Sequence, residues 1–439
     1  IKIAMDNRAL REIYGDENMD LTAHYAETIG KRSIQHGYNA NETGDASYAG
    51  GSGSVASGIY SHAEGQNVEA VGSCSHAEGM NTKAGGSDSH AEGYRTKAEK
   101  ESAHAEGYST TASGGQSHSE GLSTAASGSS SHAEGNATTA SGGQSHAEGG
   151  FTVSSGDCSH AEGHYATASA AGSHAEGYNT KAQGNYGHSE GYETKAYCGY
   201  GHAEGYKTTA GRENAMMIKS AHAEGESTQA TAQAAHSEGY QTTASGAYSH
   251  AEGNATTASG GQSHAEGNTS RAYGVNSHAE GDDTQAGSNQ YTIAPHSEGS
   301  GTQAMGNYSH AEGKNTQVTG ECGHSEGKET VATSTCSHAE GYKSSSNAEY
   351  SHAEGYQTAT RGIAAHAEGY QTQVFGNYSH VEGNNTVSTY ESQHVCGKYN
   401  IPVDSAFIVG GGIDNSNRKN IYVLDWEGNA IFHGDVTNG

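Results

Sequence analysis

The residues with chemistry to offer are a histidine and a glutamate two positions apart, and they occur together 23 times. His62 and Glu64 stand in Ser-His-Ala-Glu-Gly. The phrase returns, with small changes, at His76 and Glu78, at His90 and Glu92, and onward to His380 and Glu382. Imidazole beside carboxylate suits three kinds of chemistry. Catalysis needs one constellation in one pocket, whereas 23 equal copies make a ladder, so no enzyme is expected. Metal binding is open to such pairs, because three chains would bring three histidines to one level and His with carboxylate suits several divalent ions. The sequence nonetheless predicts no resident metal or other cofactor. The third chemistry is a charge-assisted hydrogen bond from a histidine of one chain to a glutamate of the next.

That third reading is the one expected. It places His62, Glu64, His76, Glu78, His90, Glu92, His132, Glu134, His250, Glu252, His310, Glu312, His352 and Glu354 on an axis between chains. An unpaired member would be costly, and a slip of half a coil would break every pair. Pairing would raise the imidazole pKa above its usual ~6.5. The assembly is therefore expected to loosen at high pH, where the histidines lose protons, and at low pH, where the glutamates gain them.

The period says what positions the ladder. The copies fall in runs of 11, 5 and 7, and within each run the step is 14 residues. A fixed short period marks a solenoid, one coil per repeat. Degenerate copies at 33–37, 47–51 and 393–397 extend the periodic region to about 33–397. With the motif histidine as position 0, small residues recur at −1, +1, +3, +6, +8 and +10, mostly Ser, Ala, Gly, Thr, Ala and Gly. Strand side chains alternate between faces. Each 14-residue coil then reads as two five-residue strands whose small residues share one inner face. His and Glu fall on the opposite face. Positions +5 and +7 drift, as solvent rows do; the His and Glu rows never vary, which predicts that their face is turned against something. The fold class is all-β, a parallel β-roll. About 26 coils at ~4.8 Å each would span roughly 120 Å.

The chain has 439 residues, 32% hydrophobic, with 65 Gly and 2 Pro. A roll filled with Ala, Ser and Thr buries little apolar area to stand alone, and association of like rolls is the simplest remedy. Protonating the motif histidines would cancel most of the formal charge of −28. That charge and the lack of a basic stripe speak against nucleic acid. No 18-residue apolar run exists, so no membrane insertion is expected, and no secretory signal is visible from Ile1 onward. Cys74, Cys158, Cys322 and Cys336 share one register; Cys322 and Cys336, one coil apart, are read as a conceivable disulfide or as small half-buried thiols.

Outside the roll, residues 1–32 read as a lead-in or attachment segment with one or two helical turns at 7–14. Residues 398–439, with a strand at 405–409 and a hairpin at 421–432, read as a small C-terminal β cap or a junction. Two coils carry enlarged turns, at 212–220 with Met216, Met217 and Ile218, and at 288–294 with Tyr291 and Ile293. These five are the candidate receptor contacts, because apolar residues on such loops suggest a partner. Tyrosines form columns at +4 and +12, suited to stabilising stacks or to holding sugar rings. Residues 136–149 and 254–267 are identical, which points to growth by duplication.

Two resemblances follow. The 14-residue coil with Ser-x-Ala-x-Gly resembles the left-handed β-roll head of YadA-like trimeric autotransporter adhesins, over about 33–397. In those heads apolar residues fill the x positions and face the trimer axis, where His62 and Glu64 stand here. The Ser-His-Ala-Glu-Gly repeats, followed by Phe407-Ile408-Val409-Gly410, Asn417-Arg418, Val423-Leu424-Asp425-Trp426-Glu427-Gly428-Asn429-Ala430 and Gly434-Asp435-Val436, resemble tail-fibre proteins of phages and prophages of Gram-positive bacteria. The second resemblance implies a homotrimeric, receptor-binding tail fibre. It would work outside the cell on a virion tail or tailocin-like particle, beside other tail or baseplate proteins. Its receptor would be a bacterial surface glycan or teichoic-acid-like polymer. The alternative it leaves is a trimeric adhesin on a bacterial surface.

Overall fold

The 14-residue period becomes a parallel β-solenoid. The structure, a computed structural model, describes residues 33–213 and 219–434. Among these there are strands and turns and no helix, so none is long and apolar enough to cross a membrane. The chain divides into two units, Ile1–Ser220 and Ala221–Gly439. Each holds 13 coils among its described residues, from Ile34–His36 to His202–Tyr206 in the first and from His222–Glu226 to His394–Lys398 in the second.

Every coil before the last has a long strand, such as His62–Gln66, and a short one, such as Glu69–Ala70. Each pairs in parallel with its equivalent one repeat on. His62 stands against His76 and Glu64 against Glu78; Glu69 stands against Lys83. The second strand is thus two residues long where five were expected. Its neighbours explain the shortening. Positions +5 and +12 of the regular 14-residue coils lie in the left-handed region, for example Asn67 at φ 54° and Cys74 at φ 56°, and such a residue ends an extended run. The free drift of residue type at +5 therefore conceals a fixed backbone corner.

The inner face is as small as the pattern predicts. Ala63 and Ala70 are fully buried, and Ser75 and Thr82 are 1% exposed. The serine at −1 has a further task. Its hydroxyl donates to the carbonyl of the turn glycine at +10 of the preceding coil, as in Ser75 to Gly72 at 2.6 Å and Ser131 to Gly128 at 2.7 Å. The glycine at +3 is present for a different reason from the one its pattern gives. Gly135 has φ +113°, and a Cβ there would lie 2.1 Å from the carbonyl oxygen of Gly149 in the next coil. The column exists so that successive coils can approach along the stack.

Buried threonines at +6 follow a rule set by +1. Where +1 is serine the hydroxyls pair: Ser119 with Thr124 at 2.8 Å and Ser237 with Thr242 at 2.7 Å. Where +1 is alanine, as at Ala105 and Ala251, the hydroxyl of Thr110 or Thr256 is buried without a hydrogen bond. An orphaned buried hydroxyl is costly, and a new hydrogen bond to it is worth about 1 kcal/mol. Ala105→Ser is therefore expected to stabilise the chain by about 1 kcal/mol, and Ser119→Ala to destabilise it similarly. Urea unfolding of the two variants checks this; equal midpoints would contradict the pairing rule.

Beyond the last coil, Phe407–Gly411 pairs in parallel with His394–Lys398. Asn420–Leu424 and Ala430–Phe432 follow in antiparallel pairs. The interior enlarges toward this end, with Val374, Val381, Val395 and Ile408 in one buried cluster.

Candidate functional site: the His–Glu face

The long strand turns Ala at +1 inward, so His at 0 and Glu at +2 point out. Parallel, in-register pairing then lays each residue type over its own kind. The imidazoles stack from His76 to His202 in one unit and from His222 to His394 in the other, with ring centroids 4.4–5.0 Å apart and planes within 25°. All seven of the named pairs, from His62 and Glu64 to His352 and Glu354, occupy these columns.

Within a coil the imidazole Nε2 faces the glutamate Oε2 of the same strand. The separation is 3.3 Å for His62 and Glu64, 3.8 Å for His76 and Glu78, and 3.9 Å for His90 with Glu92 and His250 with Glu252. Except at His62 this is ion-pair range and too long for a hydrogen bond. The Nε2 atoms of His90, His132, His250, His310 and His352 are covered by their neighbours and have no hydrogen-bond partner in this chain. The side chains as wholes are half-exposed, 36% for His250 and 46% for Glu252.

Within the single chain the electrostatics lower the imidazoles, whereas the rise expected from the sequence belongs to pairing with a second chain. The imidazoles of His90, His118, His146, His174, His236, His250, His296, His310, His324, His338, His352 and His366 are held below their usual 6.5. Burial is the largest cause, and a stacked histidine neighbour is the next. The glutamates of the same and adjacent coils pull upward and are outweighed. A histidine stacked on histidines pays twice for a proton, in lost solvation and in repulsion.

As a metal centre the face offers triads such as His104, Glu106 and His118, or His146, Glu148 and His160, whose ligand atoms lie within 4.8 Å of one another. Two nitrogens on one ion at ~2.1 Å each are at most about 4.2 Å apart. One histidine and its own glutamate can share an ion as they stand. Two stacked rings cannot without tilting toward each other.

The other named residues lie elsewhere. Met216, Met217 and Ile218 fall outside the described residues, as do the 7–14 helical turns. In the second enlarged turn Tyr291 is 78% exposed. Its backbone N–H donates to Asn289 Oδ1 at 2.8 Å. Ile293, by contrast, rejoins the coil wall through a parallel bridge to Val275. The tyrosines at +4 form true stacks, with Tyr178, Tyr192 and Tyr206 4.9 and 5.1 Å apart and Tyr342, Tyr356 and Tyr370 5.0 and 4.8 Å apart; at +12 Tyr186 and Tyr200 stack at 5.5 Å. Their faces cover one another, so a sugar ring finds an open face only at the end of a stack. At two of those ends a cation already sits, Lys207 at 5.0 Å over Tyr206 and Lys343 at 5.2 Å over Tyr342. The cysteines at 74, 158, 322 and 336 are exposed free thiols at left-handed corners, rather than half-buried ones. Burial first, then the neighbouring Cys336, pushes the Cys322 thiol up.

Sequence reasoning placed Ile34 and Tyr48 in register at the start and missed what happens to the face after the last coil. The histidine column continues through Tyr48 to Ile34 at the start, and through Phe407 to Leu424 after the last coil. The signal was present: Phe407-Ile408-Val409 repeats the out-in-out alternation of His-Ala-Glu. No protein-family model matches this sequence, and no curated protein is similar to it.

Proposed function

We propose that this chain is the shaft of a homotrimeric, receptor-binding tail fibre of a phage or tailocin-like particle, acting outside the cell on a bacterial surface polymer. Its coils wind left-handed, its His–Glu face meets the same face of two sister chains, and residues 398–439 close the roll. What supports this reading is one observation: invariant His and Glu columns lie on a half-exposed outer face, and the Nε2 atoms of His90, His132, His250, His310 and His352 among them lack a hydrogen-bond partner in the chain. Carboxylates of sister chains are the partners whose chemistry fits. Outward tyrosines, Tyr291 above all, supply the contact with a glycan or teichoic-acid-like polymer. Repeated structure of this kind suits a scaffold that holds a contact surface at a distance.

Two measurements test the proposal. Sedimentation equilibrium should return three times the 45.1 kDa chain mass. The fluorescently labelled protein should coat Gram-positive cell walls and lose that binding when the wall polymer is stripped. A monomer at micromolar concentration would refute the assembly, and indifference to stripped and unstripped walls would refute the receptor class.

A further inference from the structure

A ladder of identical rungs has a weakness as an interface. A neighbour displaced by one whole coil, ~4.8 Å, finds nearly the same histidines and glutamates opposite it and loses only an end rung. The polar columns therefore exclude a half-coil slip, and leave whole-coil slips almost equal in energy. Something outside the repeat must choose among them.

The same face carries such an element just past the last coil. Residues paired across a sheet share a face. His394 stands against Phe407, and Phe407 against Leu424, which stands against Ala430. In the neighbouring column Cys396 stands against Val409, Val409 against Tyr422, and Tyr422 against Phe432. The polar columns thus become apolar without leaving the face. The rings form one continuous series: His394 to Phe407 at 5.0 Å, Phe407 to Tyr422 at 6.0 Å, Tyr422 to Phe432 at 4.9 Å. The inner row is covered at its first two strands, with Ile408 fully buried and Val423 7% exposed, and opens at Ile431, 49% exposed; Phe432 on the outer row is 62% exposed. The platform is held firmly. Arg418 donates to the carbonyls of Asn385 and Asn400 at 2.9 and 3.1 Å, and Trp426 Nε1 donates to Asp404 at 2.8 Å.

We infer that this patch, Phe407, Val409, Tyr422, Leu424 and Phe432, docks on the same patch of further copies of this chain and sets the register of their association. The inference rests on the homotypic reading above. A second copy is the occupant because the patch and the His–Glu columns form one uninterrupted face, and only a like chain matches both parts at once. The columns are complementary to themselves, His facing Glu. The apolar end finds an apolar end only when two chains are level. A copy displaced by one coil would set Phe407 and Val409 against His394 and Cys396, stranding an imidazole against rings.

The experiment uses the full chain with Leu424→Lys and Phe432→Lys together, and Ile413→Lys as a charge control; Ile413 is 77% exposed in the loop between the strands. Dissociation is followed by sedimentation. Register is followed with a benzophenone side chain replacing Glu354 and mass mapping of the photo-cross-link. The wild-type chain should cross-link at one coil level. The double variant should dissociate at a concentration at least 10-fold higher and spread its cross-links in steps of 14 residues, while Ile413→Lys behaves as wild type. Phe432→Ala, which adds no charge and disturbs an exposed strand position only, should give the same spread in milder form. Wild-type cross-links already spread over several levels, or a double variant unchanged in both readouts, overturns the register role and leaves association standing. A wild-type chain that is monomeric at every concentration overturns both.

Discussion

Gly135→Ala is expected to break the stack between two coils, at a cost of about 3 kcal/mol or more. Two independent terms add there. At φ +113° an L side chain is strained by its own backbone, and the new Cβ would lie 2.1 Å from the Gly149 carbonyl oxygen. That oxygen is backbone in a paired strand, so it cannot swing aside as a side-chain tip would. Gly115→Ala is the control. Its Cβ would meet nothing within 4 Å and its φ is not positive, so it should be neutral or stabilise by a few tenths of a kcal/mol to about 1 kcal/mol, through a less flexible unfolded chain. In a solenoid each repeat touches only its neighbours, so the Gly135 defect should divide unfolding into two steps. Thermal circular dichroism and limited proteolysis, with new cleavage near residues 135–149, provide the readout. A Gly135→Ala chain that melts in one step at the wild-type temperature would show that the column is decoration.

This glycine column marks the limit of what periodicity makes legible. Alternation within a strand reports which way a side chain points, and it placed Ala63, Ala70 and Thr82 inside and His62 and Glu64 outside. It reports nothing of what lies one coil above. The reason for Gly at +3, the left-handed corners at Asn67 and Cys74, and the pairing of Ser119 with Thr124 all depend on the third dimension of the stack. The pKa direction of the ladder within one chain is set in the same dimension. Seen along the sequence, His62 has Glu64 as its companion. Seen in space, a histidine such as His250 has an imidazole stacked at 4.6 Å on one side and 4.8 Å on the other. The passage of the face from polar to apolar at Phe407 stayed hidden because the 14-residue step falls to 13 between His394 and Phe407; a strict period steps over the match.

The ladder should make the protein acid-labile. Twelve imidazoles are held below 6.5 by burial and by stacked neighbours. A base whose folded pKa is depressed stabilises the fold above its unfolded value and loses that contribution as pH falls through the folded one. The unfolded chain takes up protons first, so stability should be level above about pH 7.5 and fall steadily below 6.5. Because the effect recurs at these twelve rungs, it accumulates along each unit. The groups that face each ring are known. His118, for instance, has His104 and His132 above and below, opposing the proton, with Glu120 and Glu106 favouring it and losing. Salt should soften the fall, since these side chains are half-exposed and their repulsion is screened. Melting temperatures at pH 8, 7, 6 and 5, at low and at 0.5 M salt, would decide it. A melting temperature that holds or rises from pH 7 to 5 would refute the single-chain electrostatics. A second fall above pH 8 would have a separate meaning: carboxylates from sister chains hold the imidazoles protonated, and the alkaline loosening expected from the sequence is real.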